Sequence, residues 1–302
     1  MGGPSVAPTC RSGTLADVLK HAGARLLDDR DVGRVRAALA IDPVMSCMVA
    51  ARIENGGLDP WRLGGELWGY PASRDWAANA GLDGLCFSGA NLVPLCGGRS
   101  AIRAFADRAV RRARSCSSLV GPADQVLELW SQLGESWGPA REERSDQPLL
   151  VLAGQPLVAA DPLVRPVRPD ELDRYLPAAV AMFTEEVGVD PRLPDGGAGY
   201  RARVAELIAA GRAFARFEAG EVVFKAEIGA MSSTVGQIQG VWMHPDRRGQ
   251  GLSAGATAAV VTRLHQMGRI ASLYVNAYNF AARAAYHRVG FTQVGCFATV
   301  LF

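Results

Sequence analysis

Lysine is nearly missing from these 302 residues: only Lys20 and Lys225 occur, and arginine supplies the rest of the 32 basic side chains. That imbalance is the imprint of a GC-rich genome and names no ligand. Neither charge sign dominates, since 30 acidic residues leave a net charge of +2. This excludes the broad basic surface of a general nucleic-acid or acidic-membrane binder. No C-x-x-C pair is present: Cys10, Cys47, Cys86, Cys96, Cys116 and Cys296 stand apart, with no metal-ligand spacing to the four histidines. No metal is expected, and a reducing cytoplasm is the expected location. No apolar run approaches the roughly 18 residues needed to span a bilayer. Residues 1–11 lack the basic and apolar regions of an export signal, and Val6 stands where myristoylation needs Ser or Thr. A soluble cytoplasmic protein is expected, with no membrane or nucleic-acid partner.

What is present is an ordinary globular composition, 49% hydrophobic and 21% charged, in a chain long enough for two cores. Residues 138–148 are polar and charged, and residues 153–162 repeat small residues and prolines, which places a domain boundary near 153–162. Two domains are expected, over 12–155 and 163–302. The second reads as a short strand at 163–167, a helix capped near Asp170 that Pro177 would kink, a Pro- and Gly-rich loop at 188–199, and a helix at 200–210. Strands at 213–218, 222–231 and 236–243 come next, then a helix at 254–267, a strand at 270–275, a helix at 279–289 and a last strand pair at 291–302. The first domain gives a blurred version of the same order, ending in a strand at 149–153, and suggests an internal duplication.

Chemistry is concentrated in two segments. In the first, an apolar strand meets a helix through Arg247-Arg248-Gly249-Gln250-Gly251-Leu252-Ser253-Ala254. Free N–H groups at a helix start, a favourable helix dipole and glycines that let a ligand approach the main chain make a phosphate-binding turn. By itself this is also what an ordinary strand-to-helix turn looks like. The second segment runs Asn279-Phe280-Ala281-Ala282-Arg283-Ala284-Ala285-Tyr286-His287-Arg288-Val289-Gly290-Phe291.

Together these segments resemble the paired motifs of the GCN5-related N-acetyltransferase (GNAT) superfamily. Arg248, Gly251 and Ser253 take the places of Arg-x-x-Gly-x-(Gly/Ala), with Ser253 the one departure. Asn279, Ala282, Tyr286, Gly290 and Phe291 take those of Asn-x-x-Ala-x-x-x-Tyr-x-x-x-Gly-Phe. The likeness implies a mixed α/β fold of two GNAT-like domains, each a mainly antiparallel mixed sheet flanked by helices. Only the second would carry the splayed strands of a coenzyme A site, because Gly97-Gly98-Arg99-Ser100 offers no such motif in the first.

The resemblance further implies acetyl-CoA as co-substrate and an amine acceptor, joined by direct attack in a ternary complex. The backbone at Val241 and Met243 would hold the pantetheine arm and the thioester carbonyl, and Arg247 to Ala254 the pyrophosphate. Asn279 would cap its helix, contact the cofactor, or both. Tyr286, protonated at neutral pH, suits a donor to the departing thiolate, although an isolated tyrosine on an apolar helix face is usually core. Glu227, amid an apolar strand, is the first candidate base, its alternative being an outward-facing strand residue; His244, Glu185 and Glu186 are weaker ones. Asp190 and Asp195 would attract a cationic amine, or simply belong to a solvated loop. Two other readings stand beside this one: an acyl-CoA sensor without turnover, and a small-thiol acetyltransferase of the mycothiol synthase type.

Overall fold

The computed structural model describes residues 23–71, 81–193 and 195–302. Residue 12, where the first domain is expected to begin, lies outside them, as do Cys10, Lys20 and Trp76. The first half comprises strand β1 (Arg25–Leu26), helices α1 (Val32–Ile41), α2 (Cys47–Gly56) and α3 (Pro60–Leu63), and strands β2 (Gly65–Tyr70), β3 (Gly84–Gly89) and β4 (Asn91–Gly97). Helix α4 (Arg99–Val110), β5 (Ser118–Pro122), α5 (Ala123–Trp137) and β6 (Glu142–Leu152) complete it. The second half begins with β7 (Arg165–Pro166), α6 (Leu172–Val187), α7 (Ala198–Ala209), β8 (Ala213–Glu218), β9 (Glu221–Met231) and β10 (Val235–Met243). It ends with α8 (Leu252–Gln266), β11 (Ile270–Tyr274), α9 (Phe280–Val289) and β12 (Thr292–Leu301).

The halves repeat each other down to side-chain detail. In β1, the Arg25 guanidinium grips Asp31 six residues on, with Nη1 2.7 Å from Oδ2, and the same carboxylate accepts from Asp28 N–H at 3.1 Å. In β7, Arg165 grips Glu171 six residues on, with both nitrogens at 2.7 Å, and Glu171 accepts from Arg168 N–H at 2.9 Å. Each carboxylate thus closes a 3₁₀ turn leading into the half's first helix. Glu171, not the expected Asp170, is the residue that ties this start together. Pro177 is carried inside the continuous helix Leu172–Val187.

All twelve strands among the described residues form one sheet, ordered β1-β2-β3-β4-β5-β12-β6-β11-β10-β9-β8-β7. From the centre outward, each side repeats five strands in the same sequence, and in each half only the fourth and fifth strands are parallel. The sixth strands are exchanged. β12 pairs with β5 of the first half, β6 pairs with β11 of the second, and β6 and β12 pair with each other. Each half therefore closes its sheet with a strand from the other.

This exchange accounts for two departures from expectation. The polar stretch before residue 149 is not a connection but the first part of β6, held by ladder pairing to β12 at Arg144, Glu143 and Glu142. The predicted strand pair at 291–302 is one strand, because a strand in the middle of a sheet needs no hairpin partner of its own. Trp130 and Trp137 pack on Phe302 at 5.6 Å, again joining the halves. Trp61, by contrast, lies exposed.

Alternation along β9 positions the chemistry. Phe224, Ala226 and Ile228 join Ile238, Leu273 and the α8 residues Ala256, Val260 and Leu264 in one core. The intervening Lys225 and Glu227 must then face the other side of the sheet, under α6. No described helix is long and apolar enough to cross a membrane.

Candidate functional site

β10 and β11 pair from Val235/Ile270 to Gln237/Ser272 and then part, although both strands continue. Beyond that point the edge of β10 facing β11 makes no ladder bonds, so its polar groups are free for a ligand. A bulge between Gln239 and Trp242 helps to turn the strand, with Gly240 at φ +57°. A β-carbon there would come within 3.0 Å of Met182 Cε and 3.2 Å of Lys225 Nζ, so space is tight, and the positive φ favours glycine.

At the top of β10 the chain makes a 3₁₀ turn and enters α8 through Gly249 (φ +74°) and Gly251 (φ +77°). Gly251 is the N-cap and has no side chain to satisfy the first N–H groups of the helix, those of Leu252, Ser253 and Ala254. Nothing lies within 4 Å of where a β-carbon would stand on either glycine. Uncapped donors, a helix dipole and open space beside the main chain fit a pyrophosphate.

A cavity of about 730 Å³ joins these features. Val241, Met243, Arg247, Arg248, Gly249, Gly251, Leu252, Ser253, Ala254, Asn279, Tyr286 and Glu227 all line it. Gln250 does not: its amide donates to the Asp246 carbonyl at 2.9 Å and braces the turn instead. Arg247 is tied to Glu218 at 2.7 Å. Arg248 donates to the Met243 carbonyl at 3.1 Å and to Glu185 at 2.8 Å. Glu185 also accepts from the Trp242 indole, and the Arg248 hydrogen bond holds its carboxyl below the ordinary range.

Asn279 Oδ1 accepts from Ala282 N–H at 3.1 Å, so it caps α9 while lining the cavity. Tyr286, in a T-shaped contact with Phe291 at 5.9 Å, is buried in the core yet borders the cavity. Burial, with the Glu186 charge second, raises its phenol above the ordinary value. It therefore stays protonated at neutral pH. His244 caps the 3₁₀ turn, and Glu186 is bound by Arg144 of β6 at 2.8 Å.

Glu227 is buried and held from two sides, by Lys225 Nζ at 2.6 Å and by the Tyr175 hydroxyl at 3.2 Å, both on Oε1. Burial pulls Lys225 below the ordinary ammonium value, and the Glu227 charge opposes that pull. Neither partner was singled out in the sequence. A signal existed for one, because lysine two residues before glutamate within a strand shares its face. The network at the cavity's edge was invisible: Gln147 of β6 donates to Asn276 at 2.8 Å and accepts from Thr299 of β12 at 2.6 Å.

Residues 223–300 match the family model of FR47-like protein, and residues 65–175 match that of a domain of unknown function, DUF4081. No curated protein sequence matches the chain. A GNAT-family acetyltransferase from Colwellia psychrerythraea superposes with a TM-score of 0.55 at 11% identity, over 92% of this chain and 99% of its own. The chain has the GNAT fold. A GCN5-related N-acetyltransferase from Sphaerobacter thermophilus gives 0.51 at 16%, over 92% and 94%; a Drosophila protein gives 0.60 at 13%, over 92% and 98%. Such coverage takes in both halves, so the GNAT likeness is of the tandem arrangement. At these identities it is a likeness of fold.

Proposed function

We propose that the protein is an N-acetyltransferase that moves an acetyl group from acetyl-CoA to an amine. Residues 163–302 would form the catalytic domain, with β6 completing its sheet. The observation that carries this reading is the shared cavity, which borders the uncapped start of α8, the gap between β10 and β11, and Glu227. Acetyl-CoA would supply an activated thioester; the chain's residues do the rest. The N–H groups of Leu252, Ser253 and Ala254, with Arg248, hold the pyrophosphate. The free edge of β10 at Val241 and Met243 orients the pantetheine arm and donates where the oxyanion develops. Tyr286 gives its phenolic proton to the leaving thiolate. Glu227 receives the proton of the attacking amine, directly or through water, while Lys225 and Tyr175 fix its carboxylate.

Titrating the full-length chain with acetyl-CoA, then measuring thiol release in a screen of amines, tests this. Binding in the micromolar range and at least one acetylated amine are expected; absence of binding refutes the proposal. The closed contacts of Glu227 favour a second reading, an acyl-CoA-binding protein without turnover. It predicts tight binding with no acetylated product.

A further inference from the structure

The acceptor end of the cavity has an unusual distribution of charge. The carboxylates that could draw a cationic substrate are already engaged: Glu227 by Lys225, Glu186 by Arg144 and Glu185 by Arg248. In the loop before α7, Asp190 is held by Arg192 at 2.7 Å, and Asp195 accepts from the N–H groups of Gly197 and Gly199. Glu227 keeps only Oε2 for the amine's proton, since both of its contacts fall on Oε1, and the others are tied up by their partners.

The side of the cavity formed by α6 and α7 instead presents Arg203, whose guanidinium has no hydrogen bond or ion pair among the described residues. It lines the cavity, as do Tyr200, Met182, Phe183 and Glu227. Its charge reaches two other cations. Lys225, fully buried, is lowered mainly by burial and further by Arg203. Arg52 of α2, lying over the Phe87 ring at 5.3 Å, is lowered by burial first and by Arg203 second. Lys225 and Arg203 thus both stand at the cavity, which Glu227, Glu185 and Glu186 also line. Arg203 itself is exposed, so its guanidinium is open to an anion entering the cavity.

We propose that this end of the cavity takes an acceptor amine bearing its own carboxylate, which Arg203 receives. The inference rests on the acetyltransferase reading and adds the acceptor's class to it. A planar guanidinium matches a carboxylate with two parallel hydrogen bonds. The neighbouring Met182, Phe183 and Tyr200 suit an apolar substituent between amine and carboxylate, as in an apolar amino acid or a peptide's terminal residue.

Product binding tests this without requiring turnover. The full-length chain, with and without saturating CoA, is titrated calorimetrically with N-acetyl-leucine, N-acetyl-leucinamide and N-acetyl-aminoalkyl phosphate. The carboxylate is expected to bind about tenfold or more tightly than the amide, the worth of one charge-assisted contact. Arg203→Gln should abolish that preference while leaving amide binding unchanged, and Arg203→Lys should restore part of it. Equal affinity for carboxylate and amide, no binding of either at millimolar concentration, or equal weakening of both in Arg203→Gln would overturn the inference. Tighter binding of the phosphate than of the carboxylate would also overturn it, by reassigning Arg203 to a phosphorylated acceptor. A chain that fails to bind CoA but keeps the Arg203-dependent preference would sink the acetyltransferase reading and leave the anion site standing.

Discussion

The two halves of the sheet run the same course and end it differently. In the second half, β10 and β11 separate after Gln237 and Ser272, and the glycines at the start of α8 face open space. In the first half, β4 and β5 also pair only briefly, at Asn91/Ser118 and Leu92/Leu119. Yet they remain in contact, since a β-carbon on Gly121 of β5 would stand 3.1 Å from the Pro94 carbonyl of β4. A β-carbon on Gly97 there would come within 2.8 Å of the Ala101 β-carbon. Gly97 and Gly121 thus make room for neighbouring protein, whereas Gly249 and Gly251 of the second half meet open space, as does Gly98 of the first. The opposite sheet face differs likewise: Leu85 and Phe87 of β3 belong to an apolar core, whereas β9 sets Lys225 and Glu227 under α6.

That contrast can be broken by mutation. Lys225→Met leaves the Glu227 charge buried beside only the Tyr175 hydroxyl, and should cost about 3–5 kcal/mol in denaturant melts. The double variant Lys225→Met/Glu227→Leu should recover most of the loss, which would make the second half's face resemble the first's. Tyr286→Phe should lower kcat about 10²-fold with acetyl-CoA affinity unchanged, as stopped-flow and calorimetry together would show. Gly251→Trp should weaken acetyl-CoA binding by about 100-fold, whereas Gly98→Trp, at the corresponding turn of the first half, should change it less than about twofold. A large effect of Gly98→Trp would mean that both halves bind the ligand.

Acid tests the turn that opens the second half. The Arg165 hydrogen bond holds Glu171 down to about 2, below its ordinary 4.5. A depressed carboxyl contributes its stability fully above 4.5 and loses it as pH falls toward 2. Melts recorded across that window should show a loss on the order of 1–3 kcal/mol that Glu171→Gln flattens.

Residues 235–291 are the most legible part of the sequence, because glycines at required positive φ and a helix-capping asparagine leave local signatures. Gly251 and Asn279 take the places that their spacing indicates, one opening α8 and the other α9. β6 is less legible because its first part is held by pairing to β12, far along the chain, and no hydrophobic alternation marks such a strand. Asp31 and Glu171 reveal the duplication only through the arginines they bind, a relation with no hydrophobic period. Arg203 reads as one more arginine in an arginine-rich chain. Its setting depends on charges brought in by α2, from the far end of the sequence.

The exchanged sixth strands also order events in time. Among the described strands β12 is made after all the others, and it must enter between β5 and β6, which are made much earlier. The first half therefore cannot close its sheet during its own synthesis. It waits with an open edge at β5 until the second half arrives, so both halves complete their folding in one late, shared step.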